Sequence, residues 1–205
     1  MNISVTERIR RYRVVPVVVF QSIDEVRPTL RAMCEGGLPV AEITYRTDCA
    51  GEAIKIAVNE FPEMLIGAGT VINAEQCREA LACGAKFIVS PGFSAAIAEI
   101  CRAENVRYLG GCVTPTEIMT ALSCGCDIVK FFPAASYGGL AAMKALSAAF
   151  PSVTFLPTGG ISEQNLAEYL AWDKTFAVGG SWMTKGGPEE TAEKCRTAVD
   201  IARSV

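Results

Sequence analysis

The sequence predicts an α/β protein built as a closed (β/α)8 TIM barrel, with a lead-in helix at its N-terminus. Eight short apolar runs, rich in β-branched residues, alternate with eight helical segments, as parallel βα units do. The stretch 81–89 resembles 122–130, since each reads as a helix end, a glycine and a strand. No gap is long enough for a linker, so residues 1–205 are expected to form a single domain.

The main alternative is a doubly wound open sheet, which also alternates strands and helices. A dinucleotide-binding sheet of that kind carries a glycine-rich turn after its first strand, and here that position holds Phe20, Gln21 and Ser22. The chain is near the lower length limit of a (β/α)8 barrel, but its strand count fits. We therefore favour the barrel.

Turn and capping residues divide the first half of the chain. Ser4 with Glu7, and Ser22 with Glu25, have the spacing of capping boxes at helix starts. In chain order we predict a helix over 3–13, a strand over 14–19, a helix over 22–36, a strand over 40–44, a helix over 51–60, a strand over 64–66, a helix over 73–83, a strand over 86–90 and a helix over 94–104.

The second half follows the same rules. Pro115 and Pro188 suit the first position of a helix, and Thr114 with Glu117 has capping-box spacing. We predict a strand over 107–109, a helix over 114–125, a strand over 126–130, a helix over 139–150, a strand over 153–156, a helix over 162–170, a strand over 175–178 and a helix over 188–203.

Charge and hydropathy exclude several classes of protein. The formal net charge is −3, so there is no basic footprint for nucleic acid. Residues 1–13 are charged and lack the apolar core of a signal peptide. The longest strongly apolar run, 14–20, is far too short to span a bilayer. We expect a cytoplasmic protein with no membrane partner.

The chain contains no histidine, which excludes Ser-His-Asp triads, Cys-His pairs and histidine metal sites. Its nine cysteines form no CxxC pair, and we interpret them as small buried hydrophobic residues rather than metal ligands or disulfides. No metal site is therefore predicted. Any proton transfer must come from a carboxylate, a lysine, a tyrosine or water.

Lys130 ends an apolar strand, an unusual place for an ammonium because burying one is costly. It could extend its head into water, as many strand-end lysines do. Alternatively, it could lie in a partly apolar pocket, where desolvation makes an amine nucleophilic towards carbonyls. Lys130 taken alone favours the first interpretation.

Other unusual residues lie at strand ends, which a barrel brings together on one face. Glu42 is a carboxylate within the second strand, and its neighbours Ala41 and Ile43 should face the opposite side. It could be catalytic, or it could form a structural ion pair with Arg46 or Lys130. Arg46 could bind a substrate carboxylate with two hydrogen bonds. Thr70 closes a Gly-Ala-Gly-Thr turn, a weak signal by itself.

Two glycine pairs follow the last two predicted strands. They occur in Thr158-Gly159-Gly160 and in Gly179-Gly180-Ser181. Barrels commonly bind phosphate at these loops, through backbone N–H groups and a helix N-terminus. The pairs predict a phosphorylated small-molecule substrate, with a carbonyl for Lys130.

These motifs together resemble the 2-keto-3-deoxy-6-phosphogluconate aldolase family, which includes the 4-hydroxy-2-oxoglutarate aldolases. The resemblance extends from Val14 to about Thr184. Its stretches are 42–47 (EITYRT), 67–71 (GAGTV), 89–92 (VSPG), 113–117 (VTPTE), 129–133 (VKFFP), 157–161 (PTGGI) and 179–182 (GGSW). Tyr45 is a departure, since leucine is frequent there, and it could alter the shape of the pocket. Arg46 is more typical of the phosphogluconate branch than of the phosphogalactonate branch.

The resemblance implies a role for each matching residue. Lys130 is similar to the Schiff-base lysine and Glu42 to the general acid/base. Arg46 and Thr70 resemble the residues that hold the pyruvyl carboxylate, and Pro91 and Phe132 resemble pocket walls. The phosphate site is implied for Thr158, Gly159, Gly160, Gly179 and Ser181.

The resemblance also implies a homotrimeric (β/α)8 barrel that needs no metal or other cofactor. Its expected reaction is reversible cleavage of 2-keto-3-deoxy-6-phosphogluconate to pyruvate and glyceraldehyde 3-phosphate, with 4-hydroxy-2-oxoglutarate as a second substrate. Two other functions stay open on the residues alone. One is a phosphosugar isomerase or epimerase with Glu42 as base, and the other is a non-catalytic phosphate-binding barrel.

Overall fold

A computed structural model describes residues 4–205, so residue 3 of the predicted lead-in helix lies outside the described part. Eight strands and nine α-helices alternate along residues 4–205. They are α1 Val5–Tyr12, β1 Val14–Val18, α2 Val26–Glu35, β2 Val40–Thr44, α3 Ala50–Glu60, β3 Leu65–Gly69, α4 Ala74–Ala82, β4 Phe87–Val89, α5 Ala95–Ala103, β5 Arg107–Leu109, α6 Pro115–Ser123, β6 Ile128–Phe131, α7 Gly139–Ala149, β7 Thr154–Pro157, α8 Glu163–Leu170, β8 Val178–Gly180 and α9 Pro188–Ser204.

The strands pair in parallel, as the predicted α/β class requires. Six form a sheet in the order β5-β4-β3-β2-β1-β8, which curls into a half-barrel, and β6 pairs with β7. Isolated bridges connect the two groups. The Lys130 amide donates to the Gly110 carbonyl at 2.9 Å, and the Cys112 amide donates to the Lys130 carbonyl at 2.8 Å. On the other side, Phe155 of β7 bridges to Thr175, ahead of β8.

Side chains alternate between the two faces of the curled sheet, since successive strand residues point in opposite directions. On β2, Ala41 and Ile43 pack into the larger core beneath the helices, whereas Val40 joins a smaller inner cluster. Glu42 is therefore separated from its neighbours, as the sequence predicts. Ile9 of α1 is fully buried against the inner cluster, so the lead-in helix is packed onto the sheet.

Two strands extend into glycines that the prediction left outside them, whereas β1, β4, β6 and β7 differ from their predicted bounds by one or two residues. The prediction ended the third strand at Ile66, but β3 continues to Gly69. The prediction placed the eighth strand over 175–178, but β8 is Val178–Gly180. Sequence alone reads paired glycines as turns, whereas here they make room for side chains from neighbouring strands.

The helix starts follow the predicted caps, with one exception. Capping boxes are present at Ser4 with Glu7 and at Thr114 with Glu117. The predicted box at Ser22 is wrong, because the Ser22 side chain makes no cap and Glu25 instead accepts from the Gln21 amide at 2.8 Å. Among residues 4–205, no helix is both long and apolar enough to cross a membrane.

Candidate active site

Lys130 and Glu42 meet inside the curled sheet, although 88 residues separate them in the chain. Lys130 Nζ lies 3.2 Å from Glu42 Oε1, and the two side chains are 3% and 0% exposed. The other carboxylate oxygen, Oε2, is buried without a hydrogen-bond partner in the described structure. A buried charged pair is costly unless its remaining polar atoms are satisfied. Glu42 therefore keeps one buried acceptor position for a further partner.

The surroundings of Lys130 hold its amine in place. Its backbone is fixed on both sides by hydrogen bonds to Gly110 and Cys112, at the end of β5. The amine lies 5.2 Å from the centre of the Phe132 ring, within the range of a cation–π interaction. The structure thus places Lys130 in the partly apolar surroundings of the second sequence interpretation, since its side chain is buried and does not extend into water.

Arg46 and Thr70, on neighbouring strand ends, touch each other. Arg46 Nε donates to Thr70 Oγ1 at 3.0 Å. Thr70 has a φ of 54°, in the left-handed region that a β-branched residue rarely adopts. Such a conformation costs roughly 1–3 kcal/mol and is found most often at functional sites. It turns the Thr70 hydroxyl towards the guanidinium, a contact that no sequence pattern indicates.

A cavity of about 420 Å³ opens beside this pair. Eight residues predicted for substrate binding line it: Arg46, Thr70, Pro91, Phe132, Thr158, Gly159, Gly160 and Ser181. Val17 and Ile161 also line it and were not predicted, and Gly180, which lines it too, belongs to the second glycine pair predicted to bind phosphate. No sequence pattern singles out Val17, because β1 is apolar throughout and all five of its residues are buried.

The two glycine motifs differ in structure. Gly159 and Gly160 form a true loop before α8, with φ values of 94° and 76° that only glycine adopts readily. Gly179 lies within β8, paired with Val15 of β1, and it does not line the cavity. A Cβ at Gly179 would meet Thr158 Oγ1, so this glycine makes room for Thr158. Gly180 and Ser181 reach the cavity in its place.

Tyr45 faces away from the cavity. Its hydroxyl is buried with no hydrogen-bond partner, and burial, reinforced by the Glu79 carboxylate of α4, raises the pKa of Tyr45. Tyr45 is absent from the cavity lining, so the expected change in pocket shape is not found.

The cysteines described by the structure are all free. Burial raises the pKa of the Cys112 and Cys195 thiols to about 12, which keeps both protonated and unreactive at neutral pH. Cys77 and Cys101 lie 3.8 Å apart between α4 and α5. Within residues 4–205, no group of three or more Cys, Asp or Glu side chains is arranged to hold a metal ion.

Lys130 and Glu42 do not themselves line the cavity, but Phe132, beside the Lys130 amine, does. The fold and the site define a class: parallel α/β proteins with a buried lysine–carboxylate pair near a cavity lined by arginine, threonine and a glycine loop. The sequence profile of the KDPG and KHG aldolases matches residues 5–195. The chain belongs to this family. It is 44% identical to a 2-dehydro-3-deoxy-phosphogluconate aldolase of Treponema pallidum, over 88% of this chain and 86% of the relative. It is 37% identical to a KHG/KDPG aldolase of Escherichia coli, over 93% and 92%.

Solved structures agree with this membership. A 2-keto-3-deoxy-6-phosphogluconate aldolase of Zymomonas mobilis, crystallised with 3-phosphoglycerate, has a TM-score of 0.89 and 37% identity, covering 95% of this chain and 94% of that one. A KDPG aldolase of Legionella pneumophila, with pyruvate captured as a covalent carbinolamine, has a TM-score of 0.87 and 34% identity, covering 98% and 97%.

Proposed function

We propose that this protein is a class I aldolase that cleaves 2-keto-3-deoxy-6-phosphogluconate reversibly to pyruvate and glyceraldehyde 3-phosphate. The observation that carries the proposal is the buried pair of Lys130 Nζ and Glu42 Oε1, 3.2 Å apart, beside a cavity lined by Arg46 and the 158–160 loop. The pair supplies an amine and a proton carrier, and Arg46 and the 158–160 loop each offer a binding site for an anionic group of the substrate. Cleavage of 4-hydroxy-2-oxoglutarate to pyruvate and glyoxylate uses the same pair.

The first chemical step is addition of the Lys130 amine to the C2 ketone. The amine must be neutral to attack, and Glu42 lies within hydrogen-bond distance to take the ammonium proton. The carbinolamine then loses water, with Glu42 returning the proton to the leaving hydroxyl. The product is an iminium, which accepts electrons from the neighbouring carbon. The Phe132 ring lies near this nitrogen and stabilises the positive charge through its face.

The second step breaks the C3–C4 bond. Glu42 removes the proton of the C4 hydroxyl, and its unpartnered Oε2 is the buried acceptor available for this transfer. The bond electrons pass into the iminium, which gives an enamine on Lys130 and free glyceraldehyde 3-phosphate. Protonation of the enamine at C3, followed by hydrolysis, releases pyruvate and restores the amine. One carboxylate suffices because it accepts and returns the same proton.

The two ends of the substrate fit different parts of the cavity. Arg46, held by Thr70, presents its guanidinium for the carboxylate next to the ketone. The Gly159–Gly160 loop, the N-terminus of α8 and Ser181 offer N–H and O–H donors for the phosphate. The Zymomonas mobilis aldolase crystallised with 3-phosphoglycerate, a phosphorylated three-carbon acid, which supports a phosphate site in this fold.

Two assays test the proposal. Borohydride should trap pyruvate on the protein irreversibly, because only an imine is reduced to a stable adduct. A lactate-dehydrogenase-coupled assay over several 2-keto-3-deoxy acids should show pyruvate release, fastest with the 6-phosphate of the gluconate series. Turnover of a phosphosugar without an adduct would instead identify an isomerase or epimerase. Phosphate binding without turnover would identify a non-catalytic barrel.

Ser181→Asp should raise KM for the phosphorylated substrate strongly, because it places a second anion where the phosphate binds. Ser181→Asn is the matched control, because asparagine has nearly the size of aspartate but no charge. KM for 4-hydroxy-2-oxoglutarate, which has no phosphate, should rise much less in Ser181→Asp than KM for the phosphorylated substrate. KM measured for both substrates checks this. Equal losses on the two substrates would remove Ser181 from the phosphate site.

We propose three further features, all implied by the family resemblance. The first is a closed barrel in a single domain, which is supported by the isolated bridges between the end of β5 and β6 and between β7 and the segment before β8. The protein acts in the cytoplasm. It assembles as a homotrimer. The mass in solution, measured by light scattering, tests the trimer.

A further inference from the structure

Gly69 is the last residue of β3 and lies opposite Thr44 of β2. Its φ is not positive, unlike that of Gly159 or Gly160, so the backbone conformation does not require glycine there. Glycine inside a strand weakens it, and a close approach by another group is one physical reason for a glycine there. At Gly69, the neighbouring group is Glu42.

A Cβ built on Gly69 would lie 2.2 Å from Glu42 Oε1, 2.4 Å from its Cγ and 2.7 Å from its Cδ. These are the three nearest atoms, and each distance is well below van der Waals contact. Glu42 is completely buried, and its Oε1 is held by Lys130. The carboxylate therefore has little room to move aside without leaving the lysine.

We propose that Gly69 is a positioning residue for the reaction: its bare Cα lets the Glu42 side chain lie across β3 and bring Oε1 to Lys130 Nζ. The part that concerns catalysis rests on the function proposed above. The part that concerns geometry does not, since it is a statement about which atoms exclude one another.

A stability cycle tests the geometry without any assay of activity. Gly69→Ala should lower Tm by about 3–10 °C, as overpacking a buried site does in a chain of this size. Glu42→Ala removes all three of the nearest atoms, so adding Gly69→Ala to Glu42→Ala should change Tm by much less. If Gly69→Ala does not fold alone, the double variant should restore folding.

Gly67→Ala is the matched control. It lies two residues earlier on the same strand, and its Cβ would meet the Phe87 ring at 2.3 Å. The clash is as severe, but its three nearest atoms belong to Phe87 rather than to Glu42, although Gly67 lies opposite Glu42 on β2. Glu42→Ala should therefore relieve the Tm loss of Gly67→Ala far less than that of Gly69→Ala. Rescue of Gly67→Ala as well would point to general relaxation of the sheet and overturn the specific pairing.

Kinetics test the effect on catalysis. Gly69→Ala should lower kcat for cleavage on the order of 10²-fold, the usual result of misplacing a reacting group by about 1 Å. In the Glu42→Gln background, the same substitution should cost less than about threefold, because residues that act as one unit are not additive. Borohydride trapping of pyruvate should persist in Gly69→Ala, since Lys130 is intact.

The outcomes distinguish failure of the positioning role of Gly69 from failure of the proposed aldolase function. A folded Gly69→Ala variant with near-normal kcat, or equal Tm losses in both backgrounds, would overturn the positioning role. The role would also be overturned if the loss of kcat in the Gly69→Ala/Glu42→Gln double variant equalled the product of the losses in the two single variants. A wild-type protein that forms no pyruvate adduct would refute the aldolase chemistry instead, and the stability cycle would still decide whether Gly69 holds Glu42.

Discussion

Lys130→Ala should abolish both cleavage and borohydride trapping of pyruvate. Lys130 is the amine that the structure places beside Glu42, within the curled sheet and 5.2 Å from the Phe132 ring. Covalent catalysis needs this one nitrogen, so no residual route through an iminium remains once it is removed. The loss should therefore be complete at the sensitivity of the coupled assay, not a partial decrease in kcat.

The fold should persist in the variant, and circular dichroism and a melting curve check that it does. Removing the lysine leaves the buried Glu42 carboxylate without its partner, which destabilises a protein unless the carboxyl group takes up a proton. Lys130→Met keeps most of the side-chain volume and is the second variant to measure. Both should give a folded protein with a lowered Tm and no adduct.

Lys86→Ala provides the matched control. Lys86 also adjoins a strand, but it is exposed and lies at the opposite end of β4 from Pro91. Its removal should leave trapping and turnover unchanged. An adduct that mass spectrometry maps to any lysine other than 130 would contradict the assignment, as would residual trapping in Lys130→Ala.

The meeting of Lys130 and Glu42 could be predicted from the sequence more completely than the glycines and the strained backbone around them. Lys130 and Glu42 are conspicuous because each places a charge in an apolar strand, where a random charge would be costly. Parallel βα units then bring strand ends to one side, so the two residues could be expected to meet. Their separation of 3.2 Å and their nearly complete burial agree with that expectation.

The roles of the glycines could not be predicted in the same way. Gly69, Gly159 and Gly179 all lie in short glycine-rich stretches that read as turns. Only Gly159 is in a left-handed loop, whereas Gly69 and Gly179 are strand residues over which Glu42 and Thr158 lie. A glycine required by a turn and a glycine required by the close approach of a neighbouring side chain look the same in the sequence. Distinguishing them requires knowing which strand is the neighbour.

The left-handed backbone conformation of Thr70 could not be predicted from the sequence for a related reason. Threonine favours extended backbone, so nothing in Gly-Ala-Gly-Thr indicates a φ of 54° for its last residue. The contact with Arg46 that accompanies this conformation comes from a different strand end. Local propensity is overridden here by a tertiary contact, and such exceptions concentrate at functional sites.

Glu42→Gln should lower kcat for carbon–carbon cleavage by roughly 10²–10⁴-fold, the usual contribution of a positioned general base. Glutamine keeps the size and one acceptor oxygen, so it can still receive a hydrogen bond from Lys130 Nζ, but it cannot take the C4 hydroxyl proton. Exchange of the pyruvate methyl protons with solvent should fall as well, because it uses the same base on the enamine. Imine formation should survive at a reduced rate, since the amine remains.

The competing explanation is that Glu42 only neutralises Lys130 as a buried ion pair, and it predicts a different pattern. Losing a buried partner would then lower Tm while sparing turnover in the folded fraction. Tm, kcat and the rate of borohydride trapping, measured on the same preparation, separate the two. If Glu42 is the general base, Glu42→Gln should cleave slowly but still be trapped by borohydride. Cleavage needs removal of the C4 hydroxyl proton, whereas imine formation depends mainly on the Lys130 amine. A stable Glu42→Gln protein with near-normal kcat would end the assignment of Glu42 as the proton carrier.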